Sequence, residues 1–215
     1  YDSPQLTDVA NAKNLALGKD HTLVRHHDGS VSSCGDNSFG QLGHGDNSDR
    51  HTATPVAALS GIHVDKVVAG YEHSLALAAN GHLYAWGAND SGQLGITHTF
   101  DVNAPQRLLY FDGMTVTDVA AGKEHTLALT ESGDVYAWGL NNYGQLGIAG
   151  VSVVTEPHLV SALAGMDVVA VYAGGLHSMA LLADGSLYSW GRNVFGQLGN
   201  DSTADSVIPV QVQLP

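Results

Sequence analysis

The sequence repeats itself with a constant period of 52 residues. Four copies of the phrase GQLG begin at positions 40, 92, 144 and 196, and four H-[ST]-[LM] triplets begin at positions 21, 73, 125 and 177. Both sets keep the same spacing, and four such units fill nearly all of the 215 residues. A fixed period of this length is typical of repeat architectures such as solenoids and propellers.

Each unit predicts a set of short β-strands. In the second copy the segments VDKVVAG, HSLALAA and HLYAWG are β-branched or aromatic and are bounded by Gly and Asn. Asn80-Gly81 is a strong two-residue hairpin signal between two of them. A fourth strand is predicted after each variable loop, in the segments TPVAAL at 54, APQRLL at 104, EPHLVSAL at 156 and IPVQVQL at 208. Proline near the start of this strand suits its first residue or an outer edge.

Both side-chain sets of these strands are largely apolar or small, as expected of sheets that are covered on two faces. We therefore predict an all-β fold, a β-propeller built of four tandem 52-residue, four-stranded blades. We expect a single domain over residues 1–215, with blades at about 5–60, 61–112, 113–164 and 165–215. A single β-sandwich is the weaker alternative, because it has no reason to keep a fixed period. GQLG is expected to form a turn whose leucine plugs the gap between blades and whose glutamine satisfies backbone groups.

The recurrent letters resemble the regulator of chromosome condensation repeat family. The resemblance rests on GYEHSLAL with LYAWGANDSGQLG, GKEHTLAL with VYAWGLNNYGQLG, and GGLHSMAL with LYSWGRNVFGQLG, and it covers nearly the whole chain. It implies a β-propeller, usually of seven blades. Relatives include a nucleotide exchange factor for the GTPase Ran, a plant ultraviolet-B photoreceptor, domains of large ubiquitin ligases and a secreted bacterial inhibitor of β-lactamases. Since these share a rigid surface that binds another protein, the resemblance implies protein binding but names no partner.

Four blades fall short of seven, which raises the question of what completes the ring. An open arc exposes two blade faces, a large apolar liability. We therefore expect part of a larger array, or an open arc or half ring completed by another chain. A second copy is the simplest such partner under twofold symmetry. A closed four-bladed ring needs steeper angles between blades and is the least favoured arrangement.

The first blade departs from the repeat. Arg25 stands where the other copies have leucine, Ser32 where they have tyrosine, and Cys34 where they have tryptophan. Because burying an unpaired arginine is costly, Arg25 is expected to face solvent or a charged partner. Blade 1 is interpreted as a divergent end blade, with a functional patch of Arg25, His26 and His27 as the alternative.

Composition argues against several classes of partner and site. The formal net charge is −13, from 21 acidic and 8 basic side chains that form no basic patch, which disfavours nucleic acid and anionic membranes. Cys34 is the single cysteine, so neither an internal disulfide nor a cysteine-based zinc site is expected. No run of about 18 apolar residues occurs. We expect a soluble protein whose compartment the sequence leaves open.

Signals for catalysis, metals or cofactors are weak. The histidines of the H-[ST]-[LM] triplets are expected to be buried and to bond neighbouring backbone. Since adjacent residues of a strand point to opposite faces, each histidine and the Ser or Thr that follows it do not form a nucleophile–base pair. No G-x-S-x-G elbow or phosphate-binding loop occurs. Residues 44–49 bring oxygen donors together but lack the full pattern of a calcium loop, and a solvated polar loop is favoured.

Variation inside the repeat is the best functional signal. The residue before GQLG and the residue after the recurrent glycine of each unit change from blade to blade, and equivalent positions lie on one rim of a propeller. Exposed aromatics on rigid turns bury a large area at low entropic cost, and packing onto their own turn is the alternative. The predicted partner-binding residues are Phe39, Tyr143, Phe195, Lys19, Tyr71 and Lys123.

We therefore predict a protein-binding propeller scaffold that is not an enzyme and carries no cofactor or metal. An acidic surface favours a basic partner. One alternative is a hydrolase or metal-dependent enzyme that uses non-repeat residues near blade 1, such as His26, His27 and His44. Another is a truncated or engineered repeat array with a purely self-assembly role.

Overall fold

Sixteen short strands, joined by turns and loops, form within the described part of the chain. The computed structural model describes residues 11–214. Blade 1 contains β1 (Ala12–Leu17), β2 (His21–His26), β3 (Val31–Gly35) and β4 (Arg50–Pro55), and blade 2 contains β5 (Val64–Ala69), β6 (His73–Ala78), β7 (Leu83–Gly87) and β8 (Val102–Arg107). Blade 3 contains β9 (Val116–Ala121), β10 (His125–Thr130), β11 (Val135–Leu140) and β12 (Val153–Leu159), and blade 4 contains β13 (Val168–Ala173), β14 (His177–Leu182), β15 (Leu187–Gly191) and β16 (Ser206–Gln211). Short 3-10 turns follow the fourth strands of the first three blades, at Ala57–Leu59, Leu109–Phe111 and Ser161–Leu163.

The strands assemble into four separate antiparallel sheets, each with its four strands side by side in chain order. This confirms the predicted all-β fold of four four-stranded blades. The predicted blade boundaries at 60/61, 112/113 and 164/165 fall between sheets, whereas residues 5–10 and 215 lie outside the described residues.

Each junction between successive blades is filled by its own apolar cluster. Leu23 of blade 1 and Trp86 of blade 2 share the first cluster, Leu75 and Trp138 the second, and Trp190 belongs to the third. The three tryptophans are fully buried. Burying a side chain of this size is worth roughly 1.5–3 kcal/mol or more. The repeat therefore stacks blade on blade, as the period predicts.

The first strand of every blade faces one shared central channel, and the fourth strand forms the opposite edge of the sheet. Blades 1 and 2, 2 and 3, and 3 and 4 are packed on one another. Within residues 11–214 the four blades form an open arc, in which one face of blade 1 and one face of blade 4 are not covered by another blade.

GQLG performs the structural task expected of it. In the third blade Gly144 has a φ of 79°, and a Cβ atom there would lie 2.4 Å from Val207 Cα of the next blade. The leucines of all four turns are fully buried. Gln145 Oε1 accepts a hydrogen bond from the backbone N–H of Tyr143 at 2.9 Å, and the other three blades repeat this bond.

The fourth strands begin earlier than predicted. Pro55 ends β4 instead of starting it, and the following Ala57–Leu59 forms a 3-10 turn that buries Leu59. Pro105 likewise lies near the end of β8. The prediction was wrong because residues before each proline already pair with the third strand of the blade, so that the proline lies in the second half of an edge strand, which tolerates it.

Arg25 was expected to face solvent or a charged partner, and the structure agrees with the second of these: Arg25 is buried, with 2% of its surface exposed, and lies beside the carboxylate of Asp65. Its Nε donates a hydrogen bond to the Val64 carbonyl at 2.7 Å, and its guanidinium lies 3.5 Å from Asp65 Oδ1. An unpaired buried arginine would be costly, but this one has a hydrogen-bond acceptor and a carboxylate beside it. Arg25 therefore joins blade 1 to blade 2 and does not form an exposed patch with His26 and His27.

Candidate functional site

A belt of backbone hydrogen bonds joins the loops that follow the first strands. The N–H of Lys19 donates to the carbonyl of Tyr71 at 2.9 Å, the N–H of Tyr71 to that of Lys123 at 3.4 Å, and the N–H of Lys123 to that of Gly175 at 2.9 Å. Each of these residues follows a recurrent glycine, and each lies on a different blade. Four variable positions are thereby held side by side at one end of the channel.

These four residues line the mouth of the channel. A cavity of about 470 Å³ opens there between the four loops. Tyr71 is exposed and lies between two lysines, with Lys19 Nζ 5.1 Å and Lys123 Nζ 5.5 Å from its ring centroid. A cation over an aromatic face is attracted by the ring, by about 0.5–1 kcal/mol at exposed sites. The structure therefore brings three of the six predicted residues into one cluster.

Each lysine forms an ion pair with a glutamate that stands one position after a residue of the belt. Lys19 Nζ lies 3.2 Å from Glu72 Oε1 and Lys123 Nζ lies 2.9 Å from Glu124 Oε1. Hydrogen bonding and attraction to these carboxylates raise the pKa of each lysine. The mouth is therefore a mixed-charge surface, and the acidic neighbours were missed in the sequence although they recur at the same place in the repeat.

The other three predicted residues lie at the same end of the molecule, one on each of three turns. The segment before each GQLG turn is bonded to a mouth loop, as in the N–H of Arg192 donating to the Leu176 carbonyl at 2.9 Å. Phe195 is 87% exposed, and Tyr143 is half-buried under the guanidinium of Arg192 at 5.1 Å. Phe39 is half-buried.

Phe39, Tyr143 and Phe195 sit on different blades, and within residues 11–214 no aromatic contact joins them to one another. We call the mouth loops and these turns together the rim. Arg192 belongs to the rim and was missed, although it varies with the blade just as Phe195 does.

Recurrent histidines form a second row of contacts, beneath the rim and between blades. Nε2 of His21 lies 2.9 Å from Ser74 Oγ, that of His73 lies 3.1 Å from Thr126 Oγ1, and His125 repeats the contact with Ser178 at 3.0 Å. The expected bonds to neighbouring backbone were wrong in this respect, because the partner is a hydroxyl of the next blade. The signal was present in the H-[ST] pair itself, whose two side chains point to opposite faces of a strand.

Burial decides the charge state of these histidines. Loss of water lowers the pKa of His21 to about 4 and that of His73 and His125 to about 3. Ser74 Oγ already donates its proton to the Gln41 carbonyl at 2.7 Å. The hydroxyl therefore accepts from Nε2–H, which is the reverse of a base that activates a nucleophile. These inter-blade pairs are structural.

Three of the histidines outside the repeat near blade 1 lie beside three different local groups. His26 Nε2 lies 2.9 Å from Ser32 Oγ, His44 Nε2 lies 3.1 Å from Ser33 Oγ, and His63 Nε2 lies 3.7 Å from Asp65. Within residues 11–214 no three His, Cys, Asp or Glu side chains come together in a group that could hold a metal ion.

Carboxylates of the 44–49 loop are occupied by donors of the protein. Asp46 accepts hydrogen bonds from the Ser48 N–H at 2.9 Å and from Arg50 at 2.7 Å. Asp49 accepts one from the Asn37 N–H at 2.9 Å.

Within residues 11–214, no helix has the length and apolar character needed to cross a membrane.

Comparison with known protein sequences identifies the relatives of this chain. The family model for the RCC1-like domain matches residues 2–215. The Arabidopsis thaliana ultraviolet-B receptor UVR8 is 38% identical over 201 residues, which are 93% of this chain and 46% of the receptor. The Homo sapiens E3 ubiquitin-protein ligase HERC2 is 34% identical over 99% of this chain, but the match covers 4% of the ligase. The chain thus spans less than half the length of these curated relatives.

Solved structures give the same picture of the fold. Human WBSCR16 superimposes with a TM-score of 0.87 at 30% identity, over 95% of this chain and 53% of that one. Prp20p of Saccharomyces cerevisiae, whose binding properties to Gsp1p and histones have been described with its structure, superimposes with a TM-score of 0.82 at 26% identity, over 100% of this chain and 53% of that one.

Proposed function

Because this chain belongs to the family of RCC1-like domains, we propose that it is a protein-binding propeller scaffold that performs no chemistry of its own. Fold alone does not determine function, so the proposal depends on the site. The observation that carries it is the rim, where residues that vary between blades are displayed on a framework that does not vary.

Rigidity of the rim favours binding. The mouth loops are tied together by the backbone belt, and each GQLG turn is closed by its own glutamine. Side chains on such a frame lose little freedom when a partner covers them, which is the general advantage of preorganisation. Phe195, 87% exposed, and Tyr71 are the aromatic anchors that we propose.

Charge gives the partner a chemical class. The net charge of −13 favours a basic protein and speeds its encounter at low salt. Prp20p is a relative that has been studied for its binding to histones, which are basic proteins, and this is consistent with such a partner. We propose that Phe39, Tyr143, Lys19 and Lys123 surround the anchors and help to select it.

Completion of the arc is a separate part of the proposal. The free faces of blades 1 and 4 carry exposed apolar side chains, including Leu17, which is 70% exposed, and Tyr172, which is 53% exposed. We propose that another chain covers them and that a second copy of this chain can do so. A role limited to self-assembly would leave the rim without a purpose.

Capture of partners by matched variants tests the binding function. Wild-type protein, the rim variant Tyr71→Ala with Phe195→Ala, and the control Leu109→Ala are immobilised at equal density. Leu109 is 68% exposed in the 3-10 turn after β8, at the end of the blade opposite the rim. We expect a protein that binds wild type and control, is lost with the rim variant, and binds again when purified. Equal capture by all three would contradict binding through the rim.

A further inference from the structure

Successive blades meet at the glutamine of each GQLG turn. In the third junction, a Cβ atom on Gly191 of blade 4 would lie 3.1 Å from Gln145 Cα of blade 3. The first junction has the same approach, with 3.2 Å between the Cβ position of Gly87 and Gln41 Cα. The residue that follows this glycine in the later blade therefore lies at the glutamine turn of the blade before it.

The charges at these positions differ from junction to junction. In the first junction, Asp36 comes from the blade of the glutamine and Ala88 from the next blade. The corresponding residues are Ala88 and Leu140 in the second junction, and Leu140 and Arg192 in the third. The first junction therefore holds a carboxylate without a cation, and the third holds a cation without a carboxylate.

Blade 1 shows which group satisfies the amide of the glutamine. Gln41 Oε1 accepts a hydrogen bond from the Phe39 N–H at 2.9 Å, and its Nε2 donates to Asp36 Oδ2. The backbone N–H requires an acceptor, so it fixes the oxygen and turns the nitrogen the other way. In blade 1 the acceptor for that nitrogen is a carboxylate.

Gln145 has the same orientation but lacks such an acceptor. Its Oε1 accepts from the Tyr143 N–H at 2.9 Å, and Leu140 stands where blade 1 has Asp36. Gln145 is fully buried, and within residues 11–214 its Nε2 has no hydrogen-bond partner. Such donors are rare in folded proteins, because an unpaired buried polar group is costly.

Arg192 is a second donor without an acceptor in the same junction. Its guanidinium lies 5.1 Å from the ring centroid of Tyr143, the residue whose N–H is bonded to Gln145. Its Nε is buried without a hydrogen-bond partner, and its side chain forms no ion pair within the described residues. Every other arginine of the chain lies beside an aspartate.

We propose that Gln145 and Arg192 form a carboxylate-binding subsite of the rim, which takes an aspartate or glutamate side chain of the partner. One carboxylate oxygen accepts from Gln145 Nε2, as Asp36 does from the glutamine of blade 1. The other oxygen accepts from the Arg192 guanidinium, which the ring of Tyr143 supports. The inference rests on the proposed binding of a protein through the rim and names the group that one part of the rim recognises.

Entry of the carboxylate requires the Arg192 side chain to turn. Gln145 Nε2 and Arg192 Nε are closed to solvent, whereas Arg192 as a whole is half-buried. Among the residues that the structure describes, no hydrogen bond or ion pair holds the guanidinium, and its recorded contact is the ring of Tyr143. The guanidinium is therefore free to turn with an incoming carboxylate and to uncover the amide.

A phosphate group offers similar acceptor oxygens, but a carboxylate fits this chain better. The net charge of −13 repels a dianion more strongly than a single negative charge, and blade 1 itself fills the place with an aspartate. A partner that is basic overall still carries acidic side chains. One of them seated at Arg192 fixes the position of the partner along the rim.

Titration with sodium acetate, followed by NMR of isotope-labelled protein, tests the subsite without the partner. The signals of the Gln145 side-chain amide and of Arg192 Nε–H should shift and saturate in the millimolar range. Acetamide, the neutral analogue, and sodium chloride at equal ionic strength should leave them unchanged. Gln93 is the internal control, because its junction holds neither charge. Acetate that shifts neither signal would overturn the subsite, and phosphate that binds more tightly than acetate would overturn the assignment of a carboxylate.

Two substitutions test the subsite with the captured partner. Arg192→Gln removes the charge, and Leu140→Asp supplies from the protein itself the carboxylate that blade 1 has in Asp36. Each should abolish the acetate shift of the Gln145 signal and weaken partner binding at least about tenfold, as expected from the loss of a charge-assisted hydrogen bond. Leu109→Asp adds the same charge to an exposed leucine at the opposite end and should change neither. Circular dichroism verifies that each variant is folded.

Partner binding distinguishes failure of the subsite from failure of rim binding. A partner that binds Arg192→Gln and Leu140→Asp as tightly as wild type, but is lost with the rim variant of the capture experiment, would overturn the subsite and leave rim binding in place. Equal binding by wild type and all of these variants would contradict both.

Discussion

Nε2 of His21 lies 2.9 Å from Ser74 Oγ on the next blade, and Ser74 Oγ lies 2.7 Å from the Gln41 carbonyl. The hydroxyl has one proton and gives it to the carbonyl, so Nε2 of the imidazole carries the hydrogen of the first bond. Nδ1 is then a bare acceptor, and it has no partner within the described residues. Protonating it would bury a charge beside Gly18, which explains why the histidine stays neutral.

Removing an internal histidine should destabilise the protein strongly. His73→Ala deletes a fully buried ring and leaves Thr126 without its donor, and we expect the free energy of unfolding to fall by about 2–4 kcal/mol. His177→Ala is the matched control, because His177 of blade 4 is half-buried and, among the residues that the structure describes, no hydroxyl is bonded to it. It should cost less than about 1 kcal/mol in dilute protein. Urea unfolding of both variants measures the difference. Equal losses would contradict a stabilising role of the contact between His73 and Thr126.

Acid should weaken the fold through the same histidines. Their pKa values are lowered to about 4 for His21 and about 3 for His73 and His125, so the unfolded chain binds protons from about pH 6.5 downward while the folded chain does not. The free energy of unfolding should therefore fall as pH drops from about 6.5 to 4, by up to about 1.4 kcal/mol per pH unit for each histidine. Urea midpoints between pH 7 and 5 measure the slope. His73→Gln should reduce this slope, and an unchanged slope would contradict a role of the buried histidines.

The turns within each blade could be predicted from the sequence, whereas the contacts between blades were predicted less well. Asn80-Gly81 and the GQLG turns are determined by residues next to one another, and the structure contains them. The burial of Arg25 depends on a hydrogen bond to the Val64 carbonyl, 39 residues away, and no local sequence pattern predicts that bond. The grouping of Lys19, Tyr71 and Lys123 required the blade stacking first. The imidazole–hydroxyl contact could have been predicted from the repeated H-[ST] pair. It required the recognition that the histidine of one blade contacts the Ser or Thr of the next blade.

Arg25 should be replaceable by the leucine that the other blades use. Arg25→Ala should cost about 2–4 kcal/mol in the free energy of unfolding, because it leaves a cavity and the Val64 carbonyl without its donor. Arg25→Leu should recover most of that loss, since buried ionic groups can often be exchanged for packed apolar ones. Asp65→Ala should cost less than about 1 kcal/mol, because this carboxylate is exposed. Urea unfolding ranks the three variants, and a leucine variant as unstable as alanine would show that the ion pair itself is required.

The glycine of a GQLG turn should be needed for blade packing as well as for its backbone angle. Gly144 and Gly150 both have positive φ, of 79° and 81°, but a Cβ at Gly144 meets Val207 Cα at 2.4 Å whereas one at Gly150 meets nothing within 4 Å. Gly150→Ala should therefore cost about 1 kcal/mol for the backbone angle alone. Gly144→Ala should cost at least about 2 kcal/mol more, because the contact is with backbone that cannot rotate away. Thermal and urea unfolding measure both, and equal losses would show that packing against the next blade is unimportant.

Hydroxyl-radical footprinting of the chain with its captured partner tests the binding account most directly, because it reports side-chain exposure residue by residue. Phe195 and Tyr71 on the rim are 87% and 41% exposed, and Tyr110, at the opposite end, is 44% exposed and serves as the internal control. We predict that the partner slows oxidation of Phe195 and Tyr71 at least several-fold and leaves Tyr110 unchanged. Protection of Tyr110 with unaltered oxidation of both rim residues would contradict it.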